Sequence, residues 1–447
     1  MENLEYYMKN KPTKVTDCYI DPIDPSIKYL IIRIDDIKLN CFHFTSITLY
    51  YIILIYGSNN QGGDIMKKNI LVIAHEHMLN GASKSLLDIM DNLKEKCNFI
   101  VIVAFDYGLF LEELIKRDIK VYYVPFKRWV IIKNGDFKNK KKQWLIKDNK
   151  KNQLFAEKMA ELLKEEKIDL IYSNTSVVDL GYRISKILKL PHIWHIREFG
   201  EDDFSMYPLC SNRKYYKVIG DKNNTLICIS QEVAKKFIGK VKKDKINIIY
   251  NGVDKKNIND NKKFTKKETE KLICIQVGMI NKAKGQEITI KAMDELQKEG
   301  YKQIELWLAG SGNIEDLGIK DVDKKKWLKV LGQVNNIEKI REKVNIEIVS
   351  SKKEGFGRVT IEAMMGQIPV IGTNSGGTKE LIRNNENGLL YTAGDYIELK
   401  EKIKYFCENR KEIERMGKNA YKYSQDYFQI EHCAKEVFEV FEKVSKN

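Results

Sequence analysis

Short apolar runs alternate with amphipathic stretches along most of this 447-residue chain, and this alternation restricts its fold more than any other feature. The first run, residues 69–75, is nearly continuous in apolar residues, as a strand covered on both faces requires. An amphipathic stretch follows it, and the same order recurs as far as residue 254. Strands that alternate with helices pair into parallel sheets with helices on both faces. The sequence therefore predicts an α/β protein with doubly wound parallel sheets.

A charged segment divides this pattern into two halves. Residues 255–271 are polar and rich in lysine, which is the composition of a linker. The alternation restarts at residue 272 and continues to residue 425, and residues 426–447 carry apolar residues at the spacing of an amphipathic helix. We therefore predict an N-terminal Rossmann-like domain over 66–254, a C-terminal one over 272–425, and a final helix.

Residues 1–65 differ from the rest, because they show no clear helix or strand period and the pattern changes abruptly at Met66. The codons of residues 62–64, Gly-Gly-Asp, can spell a bacterial ribosome-binding sequence at a suitable distance before an ATG at Met66. We hypothesise that translation starts at Met66; the alternative is a genuine extension that packs on the N-terminal domain. The intact mass of the protein from its native host distinguishes the two, since a species that begins at Met1 contradicts the hypothesis.

Composition narrows the choice of partner and compartment. The 77 Lys and Arg outnumber the 62 Asp and Glu, but abundant Lys, Ile and Asn are typical of an A/T-rich genome, so no nucleic-acid partner is predicted. An anionic membrane surface or a phosphorylated substrate fits the charge at least as well. The eight cysteines form no Cys-x-x-Cys pair, and the longest apolar run, 46–57, is too short to span a bilayer. These features predict a cytoplasmic protein with reduced cysteines.

The stretch EGFGRVTIEAMMG, which starts at Glu354, follows a predicted strand and opens a predicted helix near Gly357. A helix that begins at the carboxyl edge of a parallel sheet attracts an anion, and Gly355 and Gly357 let the backbone approach it closely. Glu354 in the loop and Glu362 on the helix can each accept hydrogen bonds from hydroxyl groups. A phosphate between two polyhydroxylated groups is a nucleotide sugar, which is the ligand this loop predicts.

The spacing Glu354-x7-Glu362 around Gly-Phe-Gly, followed by GQIPVIGTNSGGTKELI, resembles the family 4 (group 1) retaining glycosyltransferases of the GT-B fold. The resemblance covers about Met66 to Asn447. It implies two Rossmann-like domains whose parallel sheets face a central cleft, with a C-terminal helix that returns to the N-terminal domain.

The resemblance also implies roles for individual residues. Glu354 would bind hydroxyls of the donor sugar, and the backbone of Phe356 and Gly357 would hold the sugar and its phosphates. Glu362 would bind the ribose, and Lys284, in GMINKAKGQ, would neutralise the diphosphate. No metal and no other cofactor is expected.

One position departs from the family pattern. Where the family commonly has Gly-Arg, this chain has Gly278-Met279, so a second positive charge on the diphosphate is not secured. Lys282 or Arg358 would supply it, and the sequence does not choose between them.

In the N-terminal half, NGASKS follows the first strand, and the resemblance suggests that Gly81 lies near the donor phosphates or the reaction centre. His195 is expected at the end of a strand facing the cleft, beside the reacting sugar. Arg197 and Glu198 are expected to neighbour the acceptor.

The predicted activity is retaining transfer of a hexosyl group from a nucleoside-diphosphate sugar to a saccharide or lipid-linked saccharide acceptor in bacterial cell-surface polysaccharide assembly. Two alternatives stay open. A sugar-nucleotide epimerase would share the nucleotide site, and a non-catalytic partner subunit of a glycosyltransferase would keep the fold with a defective site.

A basic segment, 127–152, lies in the half expected to bind the acceptor. It contains ten basic residues against Asp136 and Asp148, with Trp129 and Trp144 interleaved among them. Clustered lysines beside aromatic anchors are typical of the interface of an anionic bilayer. We therefore predict peripheral attachment to the inner face of the cell membrane through this segment.

Overall fold

The N-terminal domain is built on a ten-stranded sheet. The structure is a computed structural model. It describes residues 67–132, 137–254, 271–319, 321–334 and 336–446, together with the backbone of three strands upstream. The strands up to residue 254 are β1 (Asp17–Ile20), β2 (Lys28–Ile34), β3 (Tyr50–Tyr56), β4 (Lys68–Ala74), β5 (Cys97–Val103), β6 (Lys120–Tyr123), β7 (Val130–Ile132), β8 (Leu170–Ser173), β9 (His192–Ile196), β10 (Met206–Pro208), β11 (Asn224–Cys228) and β12 (Ile246–Ile248). Their order in the large sheet is β1-β2-β3-β6-β5-β4-β8-β9-β11-β12, while β7 and β10 form a separate antiparallel pair.

The strands from β6 to β12 in this order are parallel, as the alternating pattern predicts. Upstream of them, β3 pairs antiparallel with β6, and β2 and β1 continue the antiparallel edge. These three strands were not predicted from the sequence, because they precede the strand and helix alternation that begins at residue 69. Met66 lies outside the described residues, and a start at Met66 stays a hypothesis.

The C-terminal domain contains a six-stranded sheet in which every pair is parallel. Its strands are β13 (Leu272–Val277), β14 (Ile304–Ala309), β15 (Leu328–Gly332), β16 (Ile346–Val349), β17 (Val370–Thr373) and β18 (Gly388–Tyr391), in the order β15-β14-β13-β16-β17-β18. Two Rossmann-like parallel sheets are therefore present, as predicted. Residues 255–270 of the predicted linker lie outside the described residues.

Helices connect the strands in both domains. Those of the N-terminal half are α1 (Gly81–Leu93), α2 (Leu109–Lys116), α3 (Phe137–Gln143), α4 (Asn149–Leu162), α5 (Leu180–Leu188), α6 (Glu201–Phe204), α7 (Asn212–Ile219) and α8 (Gln231–Lys235). Those of the C-terminal half are α9 (Gln286–Lys298), α10 (Ile337–Arg341), α11 (Arg358–Met365), α12 (Thr378–Leu381), α13 (Tyr396–Glu408), α14 (Arg410–Tyr427) and α15 (Ile430–Ser445). No helix among the described residues is both long enough and apolar enough to cross a membrane.

The final helix, α15, packs against α1 and β8 of the N-terminal domain, although α14 before it packs on α11 of the C-terminal domain. Its apolar face is buried there, with Val437 and Phe441 both 0% exposed. The Phe441 ring makes an edge contact with Tyr172 of β8 at a centroid distance of 5.3 Å. Burial of this face ties the chain terminus to the first domain.

Glu380 of α12 makes a polar contact between the domains. Its carboxylate accepts hydrogen bonds from the backbone N–H groups of Gln231 and Glu232, at 2.9 and 2.8 Å, where α8 begins. It also accepts a bond from the hydroxyl of Tyr250 at 2.8 Å. The carboxyl edges of the two sheets are thereby held close to each other.

Candidate functional site

The loop at residues 354–357 joins β16 to α11, and the helix begins at Arg358 as the sequence predicts. Gly357 precedes it with φ +94°, a conformation that favours glycine. The glycine pair of SGGT, Gly376 and Gly377, lies in contact with this loop. A Cβ on Gly377 would lie 2.6 Å from the Cα of Phe356, and its N–H donates to the carbonyl of Glu354 at 2.7 Å. Small residues are required where the two loops meet.

The side chain of Phe356 is buried at 3% exposure, between the rings of Tyr250 and Phe428. It therefore presents only its backbone, which is the part that the family resemblance assigns to ligand binding. The neighbouring carbonyl of Gly355 accepts a hydrogen bond of 2.7 Å from the hydroxyl of Ser230 in the N-terminal domain. The candidate donor loop thus touches both domains.

Glu354 and Lys284 meet in a direct ion pair. The Nζ of Lys284 donates to Oε1 of Glu354 at 2.5 Å, and the hydroxyl of Ser351 donates to the same oxygen. Lys284 lies after β13 and Glu354 after β16, which are neighbouring parallel strands. The carboxyl ends of such strands share one edge of the sheet, where ligands of these folds bind. The structure therefore brings together two of the residues predicted for the donor site.

Glu362 is held by two arginines. Its Oε1 accepts from Nε of Arg358 at 3.0 Å, and its Oε2 accepts from Nη1 of Arg341 at 3.2 Å. Burial alone would raise the pKa of the Glu362 carboxyl, but the two guanidinium groups hold that pKa below its ordinary value. Glu362 is thereby kept ionised, in the form that accepts hydrogen bonds from hydroxyls.

Sequence reasoning missed Arg341, which is only 2% exposed and lies at the end of α10. It also donates to both oxygens of Glu347, at 2.9 and 3.1 Å. No motif marks this arginine. The only available signal was a charged residue close to a predicted buried strand, where an unpaired charge is costly.

The two candidates for a second diphosphate charge differ in availability. Arg358 already donates to Asp88 at 2.7 Å and to the hydroxyl of Ser85 at 3.0 Å, in addition to Glu362. Its guanidinium is thus committed to carboxylates and a hydroxyl on both domains. Lys282 is exposed and lies two residues before Lys284. Of the two, Lys282 has the cation that is open to solvent.

Gly81 opens α1 as predicted, directly after Asn80, whose side chain accepts from the backbone N–H groups of Ala82 and Ser83. This cap already satisfies two of the free donors of the first turn. The same helix carries Ser85, which contacts Arg358. The turn that contains Gly81 therefore lies on the helix that meets the candidate donor loop.

His195 lies in β9 as expected, but its ring is 0% exposed and does not face an open cleft. The hydroxyl of Tyr172 is hydrogen-bonded to Nδ1, and Nε2 has no hydrogen-bond partner among the described residues. Burial, and then the charge of Arg197, hold the pKa of His195 well below its ordinary value of 6.5. The imidazole is therefore neutral. The burial arises because the Tyr172 ring and α15 cover this face of the sheet.

Arg197 and Glu198 are buried in the same region. Arg197 donates to the side-chain oxygens of Asn174 and Asn251 at 2.7 and 2.8 Å. Glu198 accepts from the backbone N–H and the hydroxyl of Ser176, at 2.7 and 2.6 Å. Both side chains hold the loop after β8, and a role toward an acceptor stays a prediction.

The tryptophans of the basic segment are not surface anchors. Trp129 and Trp144 are 1% and 2% exposed, so their prediction as membrane contacts is wrong. The Trp129 ring stacks on Trp194 at 6.1 Å, and its N–H donates to the carbonyl of Ser176 at 2.7 Å. Burial of a large aromatic side chain in the core stabilises the fold more than its exposure at the surface does. The lysines next to the tryptophans in the sequence did not indicate whether the rings would lie in the core or at the surface.

Two family models match the chain, one in each half. Residues 79–257 match the model described as Glycosyltransferase Family 4, and residues 257–423 match the model described as Glycosyl transferases group 1. An uncharacterised glycosyltransferase of Methanocaldococcus jannaschii is 28% identical over 296 residues, which cover 64% of this chain and 78% of the relative. The capsular polysaccharide biosynthesis glycosyltransferase CapM of Staphylococcus aureus is 28% identical over 223 residues, which cover 45% of this chain and 57% of CapM.

Solved structures share the fold. HepE of Anabaena, in complex with UDP and glucose, superposes with a TM-score of 0.66 at 20% identity, covering 83% of this chain and 99% of HepE. A glycosyltransferase of Rickettsia africae superposes with a TM-score of 0.70 at 19% identity, covering 85% of this chain and 99% of the relative. The two-domain GT-B arrangement predicted from the sequence is confirmed.

Proposed function

This chain belongs to the family 4 (group 1) glycosyltransferases, and we propose that it transfers a hexosyl group, with retention, from a nucleoside-diphosphate sugar to a saccharide or lipid-linked saccharide. The observation that carries the proposal is the Lys284–Glu354 ion pair of 2.5 Å at the carboxyl edge of the C-terminal sheet. A cation and a hydrogen-bond acceptor in direct contact match a diphosphate next to a sugar hydroxyl. HepE was crystallised with UDP-glucose, and CapM acts in capsular polysaccharide biosynthesis, which supports this substrate class.

The donor would exchange the partners within this pair. The diphosphate takes the ammonium of Lys284, and a sugar hydroxyl donates to the carboxylate of Glu354 in its place. As the bond between C1 of the sugar and the diphosphate oxygen breaks, Lys284 stabilises the negative charge that develops on that oxygen. The acceptor hydroxyl attacks C1 from the same face, and its proton passes to the departing phosphate oxygen. The contact between Ser230 and Gly355 favours a closed arrangement that limits donor hydrolysis by water.

A thermal-shift panel of UDP-, GDP- and ADP-sugars tests the donor site. Stabilisation by one nucleotide class is expected in the wild type, with loss or strong reduction in Lys284→Ala and Glu354→Ala. Charge-assisted contacts contribute about 1.5–3 kcal/mol each, so losses of roughly ten- to a hundredfold in affinity are expected. The control is Lys326→Ala, which removes an exposed lysine before β15 and should leave the stabilisation unchanged. Wild-type affinity in both site variants would show that the site is wrongly assigned.

Turnover separates the alternatives. A transferase forms a new glycosidic bond only when an acceptor is present, whereas an epimerase converts the sugar nucleotide without one. A non-catalytic partner subunit would bind the nucleotide and catalyse neither reaction. Chromatography of the sugar nucleotide with and without a saccharide acceptor distinguishes the three.

We also propose that the protein attaches peripherally to the inner face of the membrane, through charge and not through buried tryptophans. Lys138, Lys142 and Lys147 of the basic segment are exposed, and Leu145 beside them is 47% exposed. Each basic residue near an anionic surface contributes about 1 kcal/mol. The proposed acceptor domain would thereby lie close to a lipid-linked saccharide.

Liposome co-sedimentation tests the attachment. Binding should require anionic lipid, fall with salt, and drop when Lys140, Lys141 and Lys142 are changed to Glu, while changing the same three to Arg should preserve it. Equal recovery with neutral liposomes would contradict the proposal.

A further inference from the structure

Four charged side chains form a continuous chain from the C-terminal domain into the N-terminal domain. Arg341 donates to Glu362 at 3.2 Å, Arg358 donates to Glu362 at 3.0 Å, and Arg358 also donates to Asp88 at 2.7 Å. Asp88 lies on α1, so the last link joins residues 270 positions apart. The side chains of Arg358 and Asp88 are only 11% and 19% exposed. Charges this sheltered from water interact more strongly than exposed pairs.

The two arginines limit how Glu362 can bind a ligand. An ionised carboxylate offers about four lone-pair positions for hydrogen bonds. Arg358 occupies one at Oε1 and Arg341 occupies one at Oε2, so about two remain. Two acceptor positions fixed in orientation match the two hydroxyls of a ribose 2′,3′-diol. The orientation of this carboxylate therefore matters as much as its charge.

Asp88 influences that orientation without adjoining Glu362. It holds one end of the Arg358 guanidinium, and Ser85 one turn earlier holds another nitrogen at 3.0 Å. If Asp88 loses its charge, Arg358 keeps two partners and gains freedom to rotate. The arginine contact that fixes Oε1 of Glu362 would then be held less firmly in one orientation.

We propose that Asp88 is a positioning residue for the donor nucleotide, acting through Arg358 on Glu362, so that the ribose contact depends on docking of α1 against α11. This inference rests on the proposed function and goes beyond it, because it makes donor affinity a property of both domains. Asp88 itself touches no substrate. Its effect should be larger for ligands that carry the ribose diol than for ligands that lack it.

The test measures dissociation constants by calorimetry for UDP and 2′-deoxy-UDP, or for the diphosphate of whichever base the panel selects. Asp88→Asn should weaken UDP binding about tenfold, as for other coupled charge pairs, and weaken 2′-deoxy-UDP binding less. The dissociation constant of 2′-deoxy-UDP divided by that of UDP should therefore be smaller in Asp88→Asn than in the wild type. In the variant Arg358→Gln, the additional change Asp88→Asn should alter the dissociation constants little, because Asp88 acts on Glu362 only through Arg358. Asp88→Glu should recover part of the affinity. If Asp88→Asn does not fold, Asp88→Glu, which keeps the charge, can be measured in its place.

Asp91→Asn is the matched control, since Asp91 lies one turn further on α1 and pairs with Arg117 of its own domain at 2.9 Å. It should leave both dissociation constants unchanged. Wild-type affinity in Asp88→Asn, with weak binding in Glu362→Gln, would overturn the inference and leave the proposed function standing. A lower melting temperature in Asp88→Asn with an unchanged ligand ratio would also overturn it. Wild-type affinity in Glu362→Gln would overturn the inference together with the assignment of the ribose contact.

Discussion

Burial controls the protonation of the histidines on β9. His192 and His195 are both 0% exposed, and burial lowers the pKa of His192 to about 3, although the Asn224 side chain and the charge of Asp221 oppose the shift. Burial, and then the charge of Arg197, lower the pKa of His195 in the same direction. Both imidazoles are therefore neutral in the folded protein at neutral pH. The Nε2 of His195 has no hydrogen-bond partner among the described residues, and the ring has no surface exposed to solvent.

Stability should consequently fall in mild acid. An unfolded histidine takes up a proton near its ordinary pKa of 6.5, whereas the buried ring does not until far lower pH. The stabilising contribution of His192 is therefore complete above pH 6.5 and is lost as the pH falls from 6.5 toward 3. Each such group contributes a slope of about 1.4 kcal/mol per pH unit to the free energy of unfolding.

Urea unfolding at several pH values between 7 and 5 measures this slope. The variant His192→Gln should show a shallower slope than the wild type. Parallel slopes in the wild type and in His192→Gln would contradict the assignment.

At the scale of elements, the proposed donor site depends on the close approach of two loops that follow neighbouring parallel strands. The loop after β16 carries Glu354, and the loop after β17 carries the glycine pair. The N–H of Gly377 reaches the carbonyl of Glu354 at 2.7 Å because no side chain separates the two backbones. The position of Glu354 is therefore set partly by Gly377, which lies in the neighbouring loop.

Gly377→Ala should consequently displace the loop at 354–357. The added Cβ would lie 2.6 Å from the Cα of Phe356 and 2.7 Å from the carbonyl oxygen of Gly355, distances that require the backbone to move. A displacement of about 1 Å can reduce a rate about a hundredfold. Transfer activity should drop strongly while circular dichroism keeps its α/β signature. Full activity in this variant would mean that the loop position does not matter for transfer.

At the scale of the whole molecule, the two domains meet through polar contacts, through the packing of Phe356 on Tyr250, and through the returning helix α15. Glu380 of the C-terminal domain accepts two backbone N–H groups at the start of α8, and Arg358 reaches Asp88 on α1. Hydrogen bonds and ion pairs of this kind can be replaced by bonds to water, so each one adds only modestly to the docking of the domains. The apolar face of α15 is buried against the N-terminal domain, and this burial also ties the end of the chain to that domain.

Glu380→Gln should weaken docking of the domains. Hydrogen bonds to a charged group contribute about 1.5–3 kcal/mol, and the neutral amide forms weaker ones. Hydrogen–deuterium exchange should then become faster at the amides of Gln231 and Glu232. Amides in the middle of α1 should exchange as in the wild type. Unchanged protection at residues 231 and 232 would show that other contacts hold this junction.

Local patterns in the sequence determined the elements of this protein. Strand and helix alternation predicted both parallel sheets, and the glycine loop predicted the start of α11 at Arg358, because periodicity and backbone freedom act over a few residues. The motif also indicated Glu354 and Lys284, which the structure brings within 2.5 Å. The strands β1, β2 and β3 precede the strand and helix alternation that begins at residue 69, and for that reason they were not predicted.

Only the tertiary structure decided which groups surround those motifs. Arg341 and Asp88 carry no local signature. Arg341 reaches Glu362 directly within the C-terminal domain, whereas Asp88 reaches it through Arg358 only because α1 docks against α11. The burial of Trp129 was likewise decided by the ring of Trp194, far away in sequence. Pairings of this kind depend on the free energy of packing the whole chain, which a local pattern does not encode.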